Sequence, residues 1–364
     1  MASARTLNRI RTLGRAALAA ARPAARARPE NPRRILVLHE LLLGDTLMLA
    51  PLLARLRARY PQAEILVTAR PAVLPLFSGR PYSVSVLPFT ERDPQVDKTL
   101  ESAKGADLAI VPGENRYTLT ARGLGAGWIV AFGGARPGWK NWAADELLPF
   151  PERAANLGDI FAELAGPAPE GLRYRRTDWP EPAYRPFALP PSPYAVLHVG
   201  ASTPLKYWDS SRWRALAHWL APRFHVIWSC GPRETALLQT INADASFDSY
   251  PGNLDLPQLW QLVANSSLLV TLDTGIAHIG KLTLARTVCL FGPGSAALTG
   301  RGEFWRDAPF TEVTVPDFPC RDQRVIFGRE VAWARVCRRS LAECARPRCM
   351  EAISLEDVFQ VIRK

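Results

Sequence analysis

The sequence predicts an α/β protein built from two doubly wound domains. Three observations carry this. Short apolar runs of the kind that form buried parallel strands alternate with stretches of helical periodicity. The alternation occurs twice, on either side of a proline-rich stretch. At 364 residues the chain is also too long for one ordinary core.

In the first series the expected strands are RILVLH, AEILVTA, VSVLPF, ADLAIVP and WIVAFGG; in the second they are YAVLHVG, HVIWSCG, SLLVTLD and RTVCLFG. Amphipathic helices are expected at SSRWRALAHWLAPR, RETALLQTI and LPQLWQLVANS. Strands alternating with helices imply parallel sheets covered on both faces. The domain layout read from this is a basic N-terminal segment over 1–32, a first domain over 33–180, a stiff proline-rich linker over 181–194, a second domain over 195–350, and a terminal helix over 351–364 that could close either domain. Two such domains leave a cleft between them, a common place for ligands.

Hydrophobic residues make up 48% and charged residues 22%, the balance of a globular chain. No apolar window is long enough to span a membrane. Residues 1–28 hold seven arginines and no acid, so this segment supplies +7 of the net +11. The body is only mildly basic, which argues against nucleic acid as a partner. On a helical wheel, Leu7, Ile10, Leu13, Ala17, Leu18 and Ala21 share one face, with Arg5, Arg9, Arg15 and Arg22 on the other. Such a helix suits an anionic membrane surface; a transit peptide or a disordered arm would read similarly.

Four strand ends carry candidate chemistry. In LLLGDTLMLAP, Asp45 stands where a strand gives way to a helix. It is either a helix cap or a catalytic carboxylate, since doubly wound sheets bind ligands at the carboxyl ends of their strands. In HVGASTPLKYWDSSRW, Ser202 and Thr203 offer hydroxyls and Lys206 a point charge for a phosphate, ahead of a helix capped by Asp209 or Ser210. In LLVTLDTGIAHIGKL, a strand ends at Asp273, and Thr274-Gly275 open a helix whose free N–H groups form an anion site; His278 follows one turn on. Asp273 could instead be the cap of that helix and His278 an ordinary helix residue. In WSCGPRET, Glu234 suits a pair of ribose hydroxyls or a helix cap.

Taken in order, LLLGDTLMLAP, GASTPLKYW, CGPRE and DTGIAHIGKLTLARTVCLFGP resemble glycosyltransferase family 9, the bacterial heptosyltransferases of lipopolysaccharide core assembly, over roughly residues 33–315. The resemblance implies the GT-B fold, two Rossmann-like domains facing across a cleft. It implies an acceptor in the first domain and a nucleotide sugar, ADP-heptose, in the second. By the same resemblance Asp45 matches a general base, Lys206 and Ser202 face the diphosphate, Asp273, Thr274 and Gly275 form the phosphate turn with His278 in the same motif, and Glu234 contacts the ribose. The implied enzyme inverts the anomeric carbon, needs no cofactor or metal for its chemistry, and transfers the sugar to a lipid-linked or glycan acceptor such as lipopolysaccharide core. It is expected in the cytoplasm, peripheral on the inner face of the bacterial inner membrane. HELLLGD and HIGKL depart from the common family pattern, with His39 and Glu40 where small or hydroxyl residues are frequent.

Four cysteines, Cys320, Cys337, Cys344 and Cys349, crowd the end of the chain without the C-x2-C knuckles of zinc sites. They are candidates for a bound metal of the kind some protein-modifying relatives carry, which would make the chain a protein O-heptosyltransferase. Reduced thiols are the plainer reading. Cys230 and Cys289 read as core residues, and the tryptophans as packing residues that could also stack on sugars. An inactive GT-B scaffold and a sugar-nucleotide epimerase are rival readings. A nicotinamide dehydrogenase lacks its glycine fingerprint here: GLGAG and GPGSAALTG miss the spacing.

Overall fold

The structure is a computed structural model that describes residues 27–167 and 169–364. The expected amphipathic helix falls almost wholly outside these residues. The described chain divides into two units. The first takes residues up to Leu172, Thr177–Pro180 and Val325–Trp333; the second takes Arg173–Arg176, Glu181–Arg324 and Ala334–Lys364.

The first unit holds a six-stranded sheet of β1 (Arg34–Val37), β2 (Glu64–Ala69), β3 (Ser85–Pro88), β4 (Leu108–Val111), β5 (Trp128–Phe132) and β6 (Glu146–Leu148). Its order is β3-β2-β1-β4-β5-β6, and every pair is parallel. The second unit repeats the plan with β7 (Tyr194–His198), β8 (His225–Cys230), β9 (Asp248–Pro251), β10 (Leu268–Leu272), β11 (Thr287–Phe291) and β12 (Phe310–Thr314), in the order β12-β11-β10-β7-β8-β9, again all parallel. In each sheet the strand order reverses beside the first strand, between β1 and β4 and between β7 and β10. Those are the switch points where ligands gather at the carboxyl ends.

All nine expected strands are present. The three missed in the two six-stranded sheets, β6, β9 and β12, lie at sheet edges. Half-solvated edges need no continuous apolar run: β9, Asp-Ser-Tyr-Pro, has no fully buried residue.

The core of the second unit is rich in tryptophan. Trp208 meets Trp213 edge to face at 5.2 Å, and Trp213 meets Trp228 at 6.3 Å. All three are buried, so they pack rather than stack on a ligand. The terminal helix Leu355–Arg363 opens with a Ser354/Asp357 capping box and closes the second unit. Phe359 stacks on Trp219 at 4.3 Å, and Arg286 donates to the Ile362 carbonyl at 2.6 Å.

Two segments depart from the expected layout. Arg173–Arg176, expected in the first domain, falls in the second unit, and an unexpected antiparallel hairpin, β13 (Val325–Ile326) and β14 (Arg329–Glu330), in a stretch expected inside the second domain, belongs to the first unit. Buried Arg329 explains why. Its guanidinium donates to the carbonyls of Gly133 (2.8 Å), Gly113 (3.1 Å), Phe132 (2.9 Å) and Phe327 (3.2 Å) and to the Asn115 side chain. The Gly113, Phe132 and Gly133 carbonyls lie at the carboxyl ends of β4 and β5, where the ladder has ended and another donor is required. Burial pulls the Arg329 pKa down to about 10, opposed by the Glu114 carboxylate.

Arg329→Met would remove the donor to the Gly113 and Gly133 carbonyls, while Phe132 O keeps Asn115 Nδ2 at 2.7 Å. It should destabilise the first unit by about 3 kcal/mol, seen as an earlier urea midpoint. Two buried strand-end histidines give a pH dependence. Burial, with Arg70 adding to it, holds His39 at about 3, and burial holds His198 at about 4. The unfolded chain takes up protons below its own value of about 6.5 while the folded chain does not. Stability should be complete above pH 6.5 and fall, by about 1.4 kcal/mol per pH unit for each histidine, as pH drops toward 4. Thermal melts across that range would check it.

Candidate functional site

In the second unit the switch point brings two expected residues into direct contact. The loop after β7 carries Lys206 on a short 3-10 turn, Pro204–Lys206, and the strand end of β10 carries Asp273. The Lys206 ammonium donates to Asp273 Oδ2 at 2.8 Å and to the Asp273 carbonyl at 2.5 Å. An ammonium has three protons, so the pair fixes the cation with one donor left for a ligand. Asp273 is buried at 8% exposure, while the Lys206 side chain keeps 21%. The pair is therefore sheltered from solvent on the acid side and open on the lysine side.

Asp273 does not cap the helix that follows. Thr274 does, accepting from Ile276 N at 3.3 Å, and the helix runs Gly275–Thr283. Asp273 is instead held on its other oxygen by the Thr299 hydroxyl at 3.0 Å. The Gly292–Ser295 turn lies so close that a Cβ at Gly294 would overlap the Asp273 carboxylate. Gly275 stands at the first turn of the helix, where backbone N–H groups and the dipole favour an anion.

His278 is buried in that helix. Desolvation, then the charges of Lys281 and Lys206, hold its pKa well below the ordinary value, so it is neutral. Its Nδ1 is buried without a hydrogen-bond partner in the described structure.

The remaining expected residues divide. Thr203 accepts from Leu205 N at 3.4 Å and shapes the lysine turn, while Ser202 is exposed on the same loop. Asp209, not Ser210, caps the Ser210–Leu220 helix. Glu234 makes no side-chain cap to its helix. Its carboxylate turns back over the ends of β7 and β8, where a Cβ at Gly200 would come within 3.2 Å of Oε2 and one at Gly231 would overlap it. Two glycines thus make room for a carboxylate at the strand-end rim.

Asp45 lies in the first unit, in the first turn of the short helix Leu43–Leu47 that follows β1 at that sheet's switch point. The cap position is Leu42, which offers no side-chain hydrogen bond. Asp45 is partly exposed. The loop before it is braced from within: His39 N donates to Thr68 Oγ1 at 2.7 Å, and Leu41 N donates to His39 Nδ1 at 3.1 Å. His39 and Glu40, the departures from the family pattern, therefore do structural work. Glu40 accepts from Thr90 and Tyr117 hydroxyls, each at 2.8 Å.

The terminal cysteines are free thiols. Burial first, and then the neighbouring Cys320, pushes Cys349 up to about 11, and burial and Cys337 raise Cys320. Among the described residues no group of three or more His, Cys, Asp or Glu is arranged to hold a metal ion.

Against this geometry, residues 159–321 match the sequence profile of glycosyltransferase family 9 (heptosyltransferase). That region contains Ser202, Lys206, Glu234, Asp273 and His278, and it does not reach Asp45. Lipopolysaccharide heptosyltransferase 1 of Pseudomonas aeruginosa is 27% identical over 152 residues, a match spanning 38% of this chain and 42% of that relative. Among solved structures, E. coli ADP-heptose lps heptosyltransferase II covers 91% of this chain and 97% of its own at 19% identity, with a TM-score of 0.64. E. coli heptosyltransferase WaaC with ADP-2-deoxy-2-fluoro heptose covers 91% and 99% at 17% identity, with a TM-score of 0.63. The fold is GT-B.

Gly294→Ala should force the Asp273 carboxylate aside and release Lys206. A crystal structure of the variant should show the Lys206–Asp273 contact broken, with the circular dichroism spectrum unchanged.

Proposed function

We propose that this protein is an inverting glycosyltransferase that moves heptose from ADP-heptose to a hydroxyl of a lipopolysaccharide-core or related surface glycan. The observation that carries the reading is the Lys206–Asp273 pair, set beside a helix start at the switch point of the second sheet. It presents a fixed cation and free backbone N–H groups to one spot, the chemistry that a diphosphate leaving group requires. The family 9 match over the same residues supports the donor class, and the two structural neighbours, an ADP-heptose heptosyltransferase and one holding a fluorinated ADP-heptose, support adenine and heptose.

In this reading Lys206 and the N–H groups at Gly275 neutralise charge as the bond between the anomeric carbon and the diphosphate oxygen breaks. Glu234 accepts from the ribose hydroxyls. The acceptor oxygen attacks the opposite side of the anomeric carbon and its proton passes to Asp45, so the configuration inverts. Asp273 holds Lys206, which refines the expectation that Asp273 belongs to the phosphate turn. Every step uses side chains and backbone groups alone. The basic stretch over residues 1–28 fits work at an anionic surface on the cytoplasmic side of a membrane, where a lipid-linked acceptor would be found. Among the described residues no helix is long and apolar enough to cross a membrane.

The test is Asp45→Asn, an isosteric change at a partly exposed site. Turnover of ADP-heptose with a core acceptor should fall by about 100-fold or more, while calorimetry shows unchanged ADP affinity. Turnover close to wild type would remove Asp45 as the base. A thermal-shift panel of ADP, UDP and GDP sugars, with no selective response to the ADP forms, would remove the donor.

A further inference from the structure

The residues singled out in the donor motifs end at His278, yet the Lys206–Asp273 pair also depends on Lys281, unassigned within the last motif, and on Thr299, beyond it. We propose that Thr299 and buried Lys281 are positioning residues that set the Asp273 carboxylate, and through it Lys206, for a nucleoside diphosphate. The proposal rests on the reading of this site as a nucleotide-sugar site.

Three links make the chain. Thr299 donates its hydroxyl to Asp273 Oδ1 at 3.0 Å, with Ser295 O a weaker second acceptor at 3.3 Å. Lys206 occupies Oδ2. With both oxygens engaged from opposite sides, the carboxylate cannot turn about its terminal bond, a torsion that is otherwise soft. The second link fixes Thr299. It ends the short helix Ala296–Thr299, whose last carbonyls need donors. Lys281 supplies them: its ammonium donates to Gly300 O at 2.7 Å and Thr299 O at 3.3 Å.

The third link fixes Lys281. It is 1% exposed, on the inner side of the Gly275–Thr283 helix, and its ammonium lies 4.6 Å from the Trp305 ring centre and 5.4 Å from that of Phe310. Carbonyls and aromatic faces are the partners a desolvated ammonium accepts. Lys281 lies in HIGKL, one of the two stretches that depart from the family pattern. The helix that offers its N–H groups to the phosphate therefore also carries, two turns on, the cation that orders the loop over Asp273.

Thr299→Val keeps the shape and removes the hydroxyl; Thr299→Ser keeps the hydroxyl and removes a methyl. Neither touches the buried lysine. The dissociation constant for ADP, measured by calorimetry, should rise roughly tenfold in Thr299→Val and stay within about twofold of wild type in Thr299→Ser, with unliganded melting temperatures alike. The same pattern should appear in the KM for ADP-heptose. A packing role would instead follow side-chain volume, so Thr299→Ser as weak as Thr299→Val overturns the proposal, as does Thr299→Val binding like wild type. Wild-type protein that binds ADP while the valine variant is indistinguishable sinks this inference alone. Wild-type protein that binds no ADP sinks the nucleotide-sugar reading, and this inference with it.

Discussion

The ion pair between Lys206 and Asp273 is the constraint on which the second unit's ligand surface depends. It joins the two strands that flank the reversal of strand order, so it can form only if both loops leave the sheet in their observed register. A lone lysine on a loop would be a mobile, solvated charge of little directional value. Tied to a buried carboxylate, it becomes a fixed donor at the mouth of a helix. The glycines around it follow from the same demand for space. Gly294 lets a turn lie across Asp273, and Gly200 with Gly231 leaves room for the Glu234 carboxylate.

Much of this was legible in the sequence because parallel sheets buried on both faces need long apolar strands. β1, β4, β7 and β10 are such strands, and each ends at a stretch that reads as a helix start. Asp45, Lys206 and Asp273 could be singled out because they stand where apolar runs stop. The roles within a motif were less legible. A strand-end acid followed by threonine and glycine fits a helix cap, but Thr274 takes that duty and leaves Asp273 to hold Lys206. The same ambiguity at Glu234 also resolves away from capping, toward the glycine-lined rim.

What escaped the sequence has a common cause. β6, β9 and β12 are edges with mixed polarity, so no periodic signal marks them. Thr299 lies outside every motif, and Lys281, inside one, reaches the site through side-chain bonds to Thr299 and Gly300 that no spacing signals. The hairpin holding Arg329 belongs to the first unit through contacts with residues about two hundred positions earlier, a partnership that local pattern cannot encode.

That hairpin ties the history of the two units together. The chain leaves the first unit after Leu172, revisits it at Thr177–Pro180, and returns once more at Val325–Trp333 before ending in the second. A nascent polypeptide emerging from the ribosome therefore cannot finish its first half first. The open carbonyls at the ends of β4 and β5 wait for an arginine that is translated only after the whole second sheet. Cutting the gene between the halves would yield an amino-terminal fragment lacking its own closing piece.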